Sequence, residues 1–112
     1  MKVEFYKNKD GKCPVQDGIK DLANKSKRKV LKFLERIEDD DDNKLGRFFR
    51  SQNALPIKGY KGLFEFRPFP CRIFFTFKGG ACWLLHLIVK KNNGRTPKKE
   101  LKKANKIKEI IK

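Results

Sequence analysis

The sequence contains few of the residues that build metal centres or disulfide frameworks. It has one histidine and three cysteines, and the cysteines form no CxxC pair. Because zinc sites are built from closely spaced cysteine and histidine ligands, we predict no metal and no cofactor. An odd number of dispersed cysteines is typical of reduced thiols, which predicts a cytoplasmic protein.

Long apolar stretches are also missing. The most apolar run, Ala81–Val89, is nine residues long, whereas a membrane-spanning helix needs about 20. The beginning of the chain, MKVEFYKNKD, is too polar for a signal peptide. We therefore expect no membrane segment.

Acidic residues are scarce relative to basic ones. Against 29 lysines and arginines there are 13 acids, which gives a net charge of +16 over 112 residues. Half of this excess lies in Val89–Lys112. Such a charge predicts a polyanionic partner, either nucleic acid, an anionic membrane surface or an acidic protein. The length and the apolar content predict one folded domain over residues 1–112.

Two amphipathic helices are predicted in the first half, after an edge strand at Val3–Tyr6. Pro14 stands where the first helix can begin, and Gly18 weakens that helix by about 1 kcal/mol relative to alanine. Ser26 is the predicted N-cap of the second helix. The acidic run Glu38–Asp42 should end it, because acids oppose the dipole at a helix C-terminus. A solvated loop is a better interpretation of this run than a metal site.

The stretch Gly62–Lys78 predicts a β-hairpin around which the chain is organised. Its strands are predicted at Leu63–Arg67 and Arg72–Phe77, and two prolines between them favour a turn. In this register Arg67 and Arg72 lie directly opposite each other. Alternation places the two arginines on one face with Glu65, Phe74 and Thr76. The other face is the predicted core face, formed by Phe64, Phe66, Ile73, Phe75 and Phe77.

Two like charges opposite each other are unfavourable in a sheet, so an anion is expected between Arg67 and Arg72. One candidate is Glu65 on the same face, which would form an arginine–glutamate ladder. The other is a phosphate group, which matches the guanidinium fork in a bidentate way. The hairpin alone leaves both open.

The strand after the hairpin is Ala81–Val89, which is apolar on both faces and should be the central strand of the sheet. Alternation predicts that His86 shares a layer with Leu84 and Ile88. It is either a buried core histidine or a catalytic group.

A basic loop follows, and Thr96 and Pro97 predict the start of the last helix, threonine as N-cap and proline as first residue. A narrow apolar side predicts that this helix packs on the sheet. The predicted order is β-α-α-β-β-β-α, an α+β domain with a twisted, mainly antiparallel sheet packed by helices. Before the hairpin, a glycine-flanked loop offers charge and a stacking face at Lys58, Tyr60 and Lys61.

These segments resemble a known family. GLFEFR (Gly62–Arg67) and CRIFFTF (Cys71–Phe77) are similar to consecutive strands of phage-derived HigB-like toxins, in the RelE/ParE superfamily of type II toxin–antitoxin systems. LLHLIVKKNNGRTPKKELKKA, from Leu84 to Ala104, resembles their Leu-Leu-His and Thr-Pro segment. The chain departs from the family pattern at Gly18, usually a large apolar residue, and at Leu87, commonly glycine.

The resemblance implies a RelE-like fold and a ribosome-dependent endoribonuclease that cuts mRNA without a metal. It also implies a cognate helix-turn-helix antitoxin, with which the toxin forms a hetero-oligomer. Arg67 and Arg72 would stabilise the phosphorane charge, and the candidates for the base are Glu65, His86 and Lys90. The predicted RNA- or ribosome-binding residues are Lys58, Tyr60, Lys61, Lys91, Arg95, Lys98 and Lys99.

Two other functions compete with this one. A ParE-like toxin has a similar fold, poisons DNA gyrase and needs no nuclease site. A basic RNA-binding module without catalysis would explain the charge, but the aromatic pair of an RRM is absent.

Overall fold

The computed structural model describes residues 1–40, 45–90, 92 and 94–111. Within these ranges the chain forms five strands and four helices. The strands are β1 (Lys2–Phe5), β2 (Ala54–Pro56), β3 (Phe64–Phe66), β4 (Cys71–Lys78) and β5 (Ala81–Val89), and the helices are α1 (Pro14–Lys20), α2 (Asn24–Glu38), α3 (Gly46–Arg50) and α4 (Lys98–Ile111). The α+β class is confirmed. Asp41 and Asp42, from the acidic run predicted to follow α2, lie outside the described residues.

The strands form one mixed sheet in the order β1-β5-β4-β3-β2. The β1–β5 pair is parallel, and the remaining pairs are antiparallel. The predicted edge position of the first strand is confirmed. The predicted central position of β5 was wrong, because β2 extends the sheet beyond β3 and makes β4 the central strand, with β5 second from the edge. The predicted element order was incomplete, because it lacked α3 and β2. Strand β2 is short and ends at Pro56, which an edge strand tolerates because one side of its backbone needs no partner.

The sheet separates two hydrophobic cores. Helices α1 and α2 cover one face, and the predicted core face of the hairpin points toward them, with the rings of Phe66 and Phe75 stacked at 3.7 Å between centroids. Helix α4 covers the other face, where Ala104 packs with Leu63, Phe74 and Leu85. The predicted packing of α4 on the sheet is confirmed. No helix among the described residues is long and apolar enough to cross a membrane.

The predicted N-cap of α2 was wrong. The helix begins at Asn24 rather than after Ser26, and the residue before it, Ala23, provides no side-chain cap. Its apolar stripe is buried as predicted, at Val30, Phe33, Leu34 and Ile37. Because tertiary packing of an amphipathic face supplies most helix stability in proteins, α2 starts without a capping hydroxyl.

Gly18 and Leu87, two of the positions at which the chain departs from the pattern of the resembled family, lie against each other. A Cβ atom built on Gly18 would be 3.1 Å from Cδ2 of Leu87, which is closer than ordinary van der Waals contact. The missing side chain therefore allows α1 to approach β5 over the leucine. A small residue on the helix compensates for a large residue on the strand.

We predict that the effect of Gly18→Ala depends on Leu87. In a Leu87→Ala background the new alanine should raise the free energy of unfolding by about 1 kcal/mol through helix propensity. With Leu87 present the gain should shrink, since the leucine must shift. Urea unfolding of the two single variants, the double variant and the parent measures this coupling. The same gain in both backgrounds would show that Leu87 does not limit the site.

Candidate functional site: a basic groove beside Arg67

The register of the hairpin brings the predicted charged residues together. Glu65 lies opposite Phe74, and Phe66 lies opposite Ile73. One further step in this register sets Arg67, just beyond β3, opposite Arg72 in β4. The predicted pairing of the arginines on the face of Glu65 is therefore confirmed.

The Glu65 carboxylate lies between the two guanidinium groups. The side chain of Glu65 is buried, and its Oε2 accepts hydrogen bonds from Nε and Nη2 of Arg67 at 3.3 and 3.2 Å. Its Oε1 lies 3.7 Å from Nε of Arg72 and accepts a bond of 2.9 Å from the Thr96 hydroxyl. In the free protein, Glu65 therefore provides the anion that the opposed arginines require.

Arg72 is enclosed by this arrangement. It is 5% exposed, and it donates from Nη1 to the Thr96 hydroxyl at 2.7 Å and from Nη2 to the carbonyl of Asn92 at 3.4 Å. Burial lowers the pKa of Arg72, with Arg67 adding to the effect and Glu65 opposing it. An arginine stays charged under such conditions, so Arg72 is a buried cation held by one carboxylate and two oxygen acceptors.

The predicted role of Thr96 as N-cap was wrong. Helix α4 starts at Lys98, and the carbonyl of Pro97 accepts the first helical bonds, from the amides of Glu100 and Leu101. The Thr96 hydroxyl instead accepts from Arg72 and donates to Glu65. A buried ion pair is stable only when its remaining donors and acceptors are satisfied. The Thr96 hydroxyl therefore bonds to the ion pair and does not cap the helix.

Arg67 differs from Arg72 in exposure. Its side chain is 39% exposed and contributes to three adjoining hollows. The largest, of about 520 Å³, lies between β2 and the start of α4 and brings Lys58, Arg95 and Lys98 together with Arg67. A second hollow, of about 470 Å³, lies between α2 and the loop of residues 67–70. We call the first the α4 hollow and the second the α2 hollow.

The third hollow is small, about 80 Å³, and brings Lys90 together with both arginines of the hairpin. Three of the predicted catalytic residues, Arg67, Arg72 and Lys90, therefore share one depression. Glu65 lies directly beside it in the floor of the α4 hollow.

Other predicted binding residues lie elsewhere. Tyr60 packs against the core under α4, and Lys61 is exposed while its carbonyl accepts a bond of 2.6 Å from Nζ of Lys108. Lys99 lines a fourth hollow, which shares Lys90 with the small hollow of the two arginines. Lys91 lies outside the described residues.

The predicted layer of His86 was right for Ile88, which packs on the α4 side of the sheet, and wrong for Leu84. The pairing of β4 with β5 shifts between Phe74 and Phe75, which pair with His86 and Leu84 respectively. The resulting bulge at Leu85 reverses the alternation, so that His86 faces α4 while Leu84 faces α1 and α2. Bulges of this kind re-aim side chains.

His86 connects β5 to α4. Its ring stacks on Phe74 at 5.7 Å between centroids, and its Nε2 lies 2.8 Å from Oε2 of Glu100. This hydrogen bond is the main cause that lowers the pKa of Glu100. Among the described residues, His86 lines none of the three hollows that contain Arg67. Nowhere in the described part of the chain do three or more histidine, cysteine, aspartate or glutamate side chains form a group that could hold a metal ion.

Sequence reasoning missed Thr96, the carbonyl of Asn92 and Glu100 as partners in this region. The Thr-Pro pair carries a strong local helix-start signal, which concealed the tertiary role of the hydroxyl. The last 24 positions contain ten basic residues and only two acids, one of which is Glu100. That rarity is a signal that could have pointed to a specific cationic or imidazole partner.

Comparison with protein-family models gives one match. The family described as Phage derived protein Gp49-like (DUF891) matches residues 17–109, which include the hairpin, β5 and most of α4. None of the curated proteins compared with the chain matches it.

We predict different stability effects for the two ends of the Glu65 cluster. Glu65→Gln should lower the free energy of unfolding by about 3–5 kcal/mol, because it leaves the buried Arg72 charge without its carboxylate. Arg67→Gln should change it by less than about 1 kcal/mol, since Arg67 is 39% exposed and Glu65 keeps Arg72 and Thr96 as its buried partners. Chemical denaturation measures both effects.

Glu4→Gln is the matched control, because Glu4 forms an exposed ion pair with Lys2, 3.0 Å long, on the edge strand. A loss for Glu65→Gln as small as the loss for Glu4→Gln would show that the carboxylate does not hold Arg72.

Proposed function

The chain belongs to the Gp49-like family of phage-derived proteins, which is associated with toxin–antitoxin systems, and we propose that it is the toxin of a type II pair. Its proposed activity is that of the HigB-like toxins, cleavage of mRNA on the ribosome without a metal ion. The observation that supports this activity best is the half-exposed Arg67, fixed by Glu65 where basic hollows meet.

The donors of Arg67 suit a phosphate ligand. Glu65 accepts hydrogen bonds from Nε and Nη2 of this guanidinium, and within the described part of the chain Nη1 donates none. A carboxylate on one edge leaves the other edge for an anion in the groove. Arg67 can therefore bind a scissile phosphate while Glu65 keeps the side chain in place.

Metal-free cleavage of RNA proceeds by attack of the ribose 2′-oxygen on the adjacent phosphorus. The step needs a base for the 2′-OH proton, positive charge for the developing phosphorane, and a proton for the departing 5′-oxygen. We assign the positive charge to Arg67. Arg72 is a positioning residue, because it acts through Thr96 and Glu65.

Glu65 and Lys90 are the candidates for the base, since both adjoin the hollows that Arg67 lines. His86 is bound to Glu100 under α4, which argues against a direct part in proton transfer.

The proposed partner is a helix-turn-helix antitoxin that covers the basic groove. Attraction between a protein of charge +16 and an acidic or amphipathic segment makes association fast and sensitive to salt. Lys58, Arg95 and Lys98, which surround Arg67 in the α4 hollow, are the proposed mRNA- or ribosome-facing residues.

Pulse labelling after induction of the protein alone tests the class of toxin. We predict that methionine incorporation falls before thymidine incorporation, because mRNA cleavage stops translation first. An uninduced culture is the control. Arrest of thymidine incorporation before that of methionine would contradict the nuclease and favour a gyrase poison of similar fold.

A further inference from the structure

We infer that the α2 hollow is a second binding site, for single-stranded RNA, in which a base stacks on Phe69 and the neighbouring phosphates lie against Lys29, Lys32 and Arg36. The inference rests on the proposed function, because the strand is the one that reaches Arg67. It assigns a role to a surface that lies on the opposite side of Arg67 from the α4 hollow.

The charges that line the α2 hollow have one sign. Its ionisable lining residues are Lys29, Lys32, Arg36 and Arg67, and no acid among the described residues lines it. Exposed lysines on a helix are usually just a solvated face. Here the three α2 cations converge with Arg67 across a shared hollow of about 470 Å³. Proteins that bind single strands hold the phosphodiester backbone in positively charged grooves of this kind.

Phe69 stands at the rim of this hollow. It is 52% exposed, although the phenylalanines of the hairpin strands lie mostly in the core. Its neighbours along the chain are Pro68, which is buried, and Pro70. Proline restricts the backbone, so the ring is presented to solvent with little conformational freedom to lose on binding.

Lys29 adds a cation at the ring of Phe69, with its Nζ 5.6 Å from the centroid. An aromatic face set among cations is the combination that proteins use to bind single strands, since every base has a π face. A segment of acidic side chains alone would satisfy the charges of the α2 hollow but could not stack on the flat face of the ring. The exposed ring among cations therefore favours a nucleotide strand over a purely acidic segment.

The two larger hollows share one lining residue. Arg67 lines both the α4 hollow and the α2 hollow, so a strand whose phosphate lies on Arg67 can extend from one into the other. The α2 hollow then holds nucleotides on one side of the scissile phosphate, and Phe69 positions one of them.

Binding without the ribosome tests this inference separately from cleavage. The probes are a fluorescein-labelled decamer of 2′-O-methyl uridine, which cannot be cleaved, and an abasic decamer with the same number of phosphates. Fluorescence anisotropy should show the uridine strand bound about five- to 100-fold more tightly than the abasic strand. Phe69→Leu should bring that ratio close to one, and Phe69→Trp should preserve it.

Matched variants separate stacking from charge and from folding. Phe77→Leu changes a phenylalanine at the opposite end of β4 and should leave the ratio unchanged. Lys32→Gln should weaken both strands by the same factor, because it removes a phosphate contact only. Thermal unfolding confirms that each variant is folded under the binding conditions.

Three results would overturn the inference. One is a ratio that Phe69→Leu leaves unchanged, and another is a parent protein that binds both strands equally. The third is a glutamate decapeptide that competes as well as the uridine strand and loses as much affinity on Phe69→Leu, which would identify an acidic protein segment as the occupant. If pulse labelling contradicts the nuclease while Phe69-dependent binding of the uridine strand holds, the proposed function fails and this site stands.

Discussion

The site depends on one buried carboxylate placed between two guanidinium groups. Two arginines in directly opposed positions of a hairpin repel each other, and one of them, Arg72, is nearly removed from solvent. Glu65 offsets that charge, and Thr96 completes the cluster with one hydrogen bond to each partner. The cluster therefore joins β3, β4 and the segment that leads into α4. Removal of one buried partner is costly because it leaves the other charge uncompensated.

This constraint gives the two arginines different roles. Arg72 uses its donors on Thr96 and the carbonyl of Asn92, so it maintains the geometry. Arg67 binds the Glu65 carboxylate through only one edge of its guanidinium group. The rest of its side chain is exposed where three hollows meet. The whole chain attracts polyanions through its net positive charge, and Arg67 is the guanidinium group that is held in place and exposed for contact with them. Charge alone predicted a polyanionic partner, and the cluster indicates where its phosphate would lie.

Local alternation was sufficient to predict the hairpin, because one face is entirely apolar while the other carries Glu65, Arg72 and Thr76, and both faces are covered by helices. The same rule was wrong at His86, since a bulge at Leu85 reverses the alternation in the middle of β5. Nothing in that apolar run distinguishes a bulged residue from a paired one.

Tertiary demands explain the remaining differences. The Thr96 hydroxyl binds a buried ion pair rather than the end of α4. Helix α2 forms without its predicted cap because its apolar stripe is buried in the core. Gly18 in α1 packs against Leu87 in β5, and this contact cannot be predicted from the local sequence around either residue. Lys58, Arg95 and Lys98 were predicted separately from loops and a helix start. Only the fold shows that they surround Arg67.

The most direct test of this account compares folding and cleavage in one preparation of Arg67→Gln. Thermal unfolding and ribosome-dependent mRNA cleavage should be measured on the same samples of variant and parent. We predict an unchanged melting temperature and a cleavage rate lower by about 10²–10³, the usual effect of losing one contact to a developing oxyanion. A variant that melts several degrees lower while its folded fraction cleaves at the parent rate would contradict the account, because Arg67 would then serve the fold and the active surface would lie elsewhere.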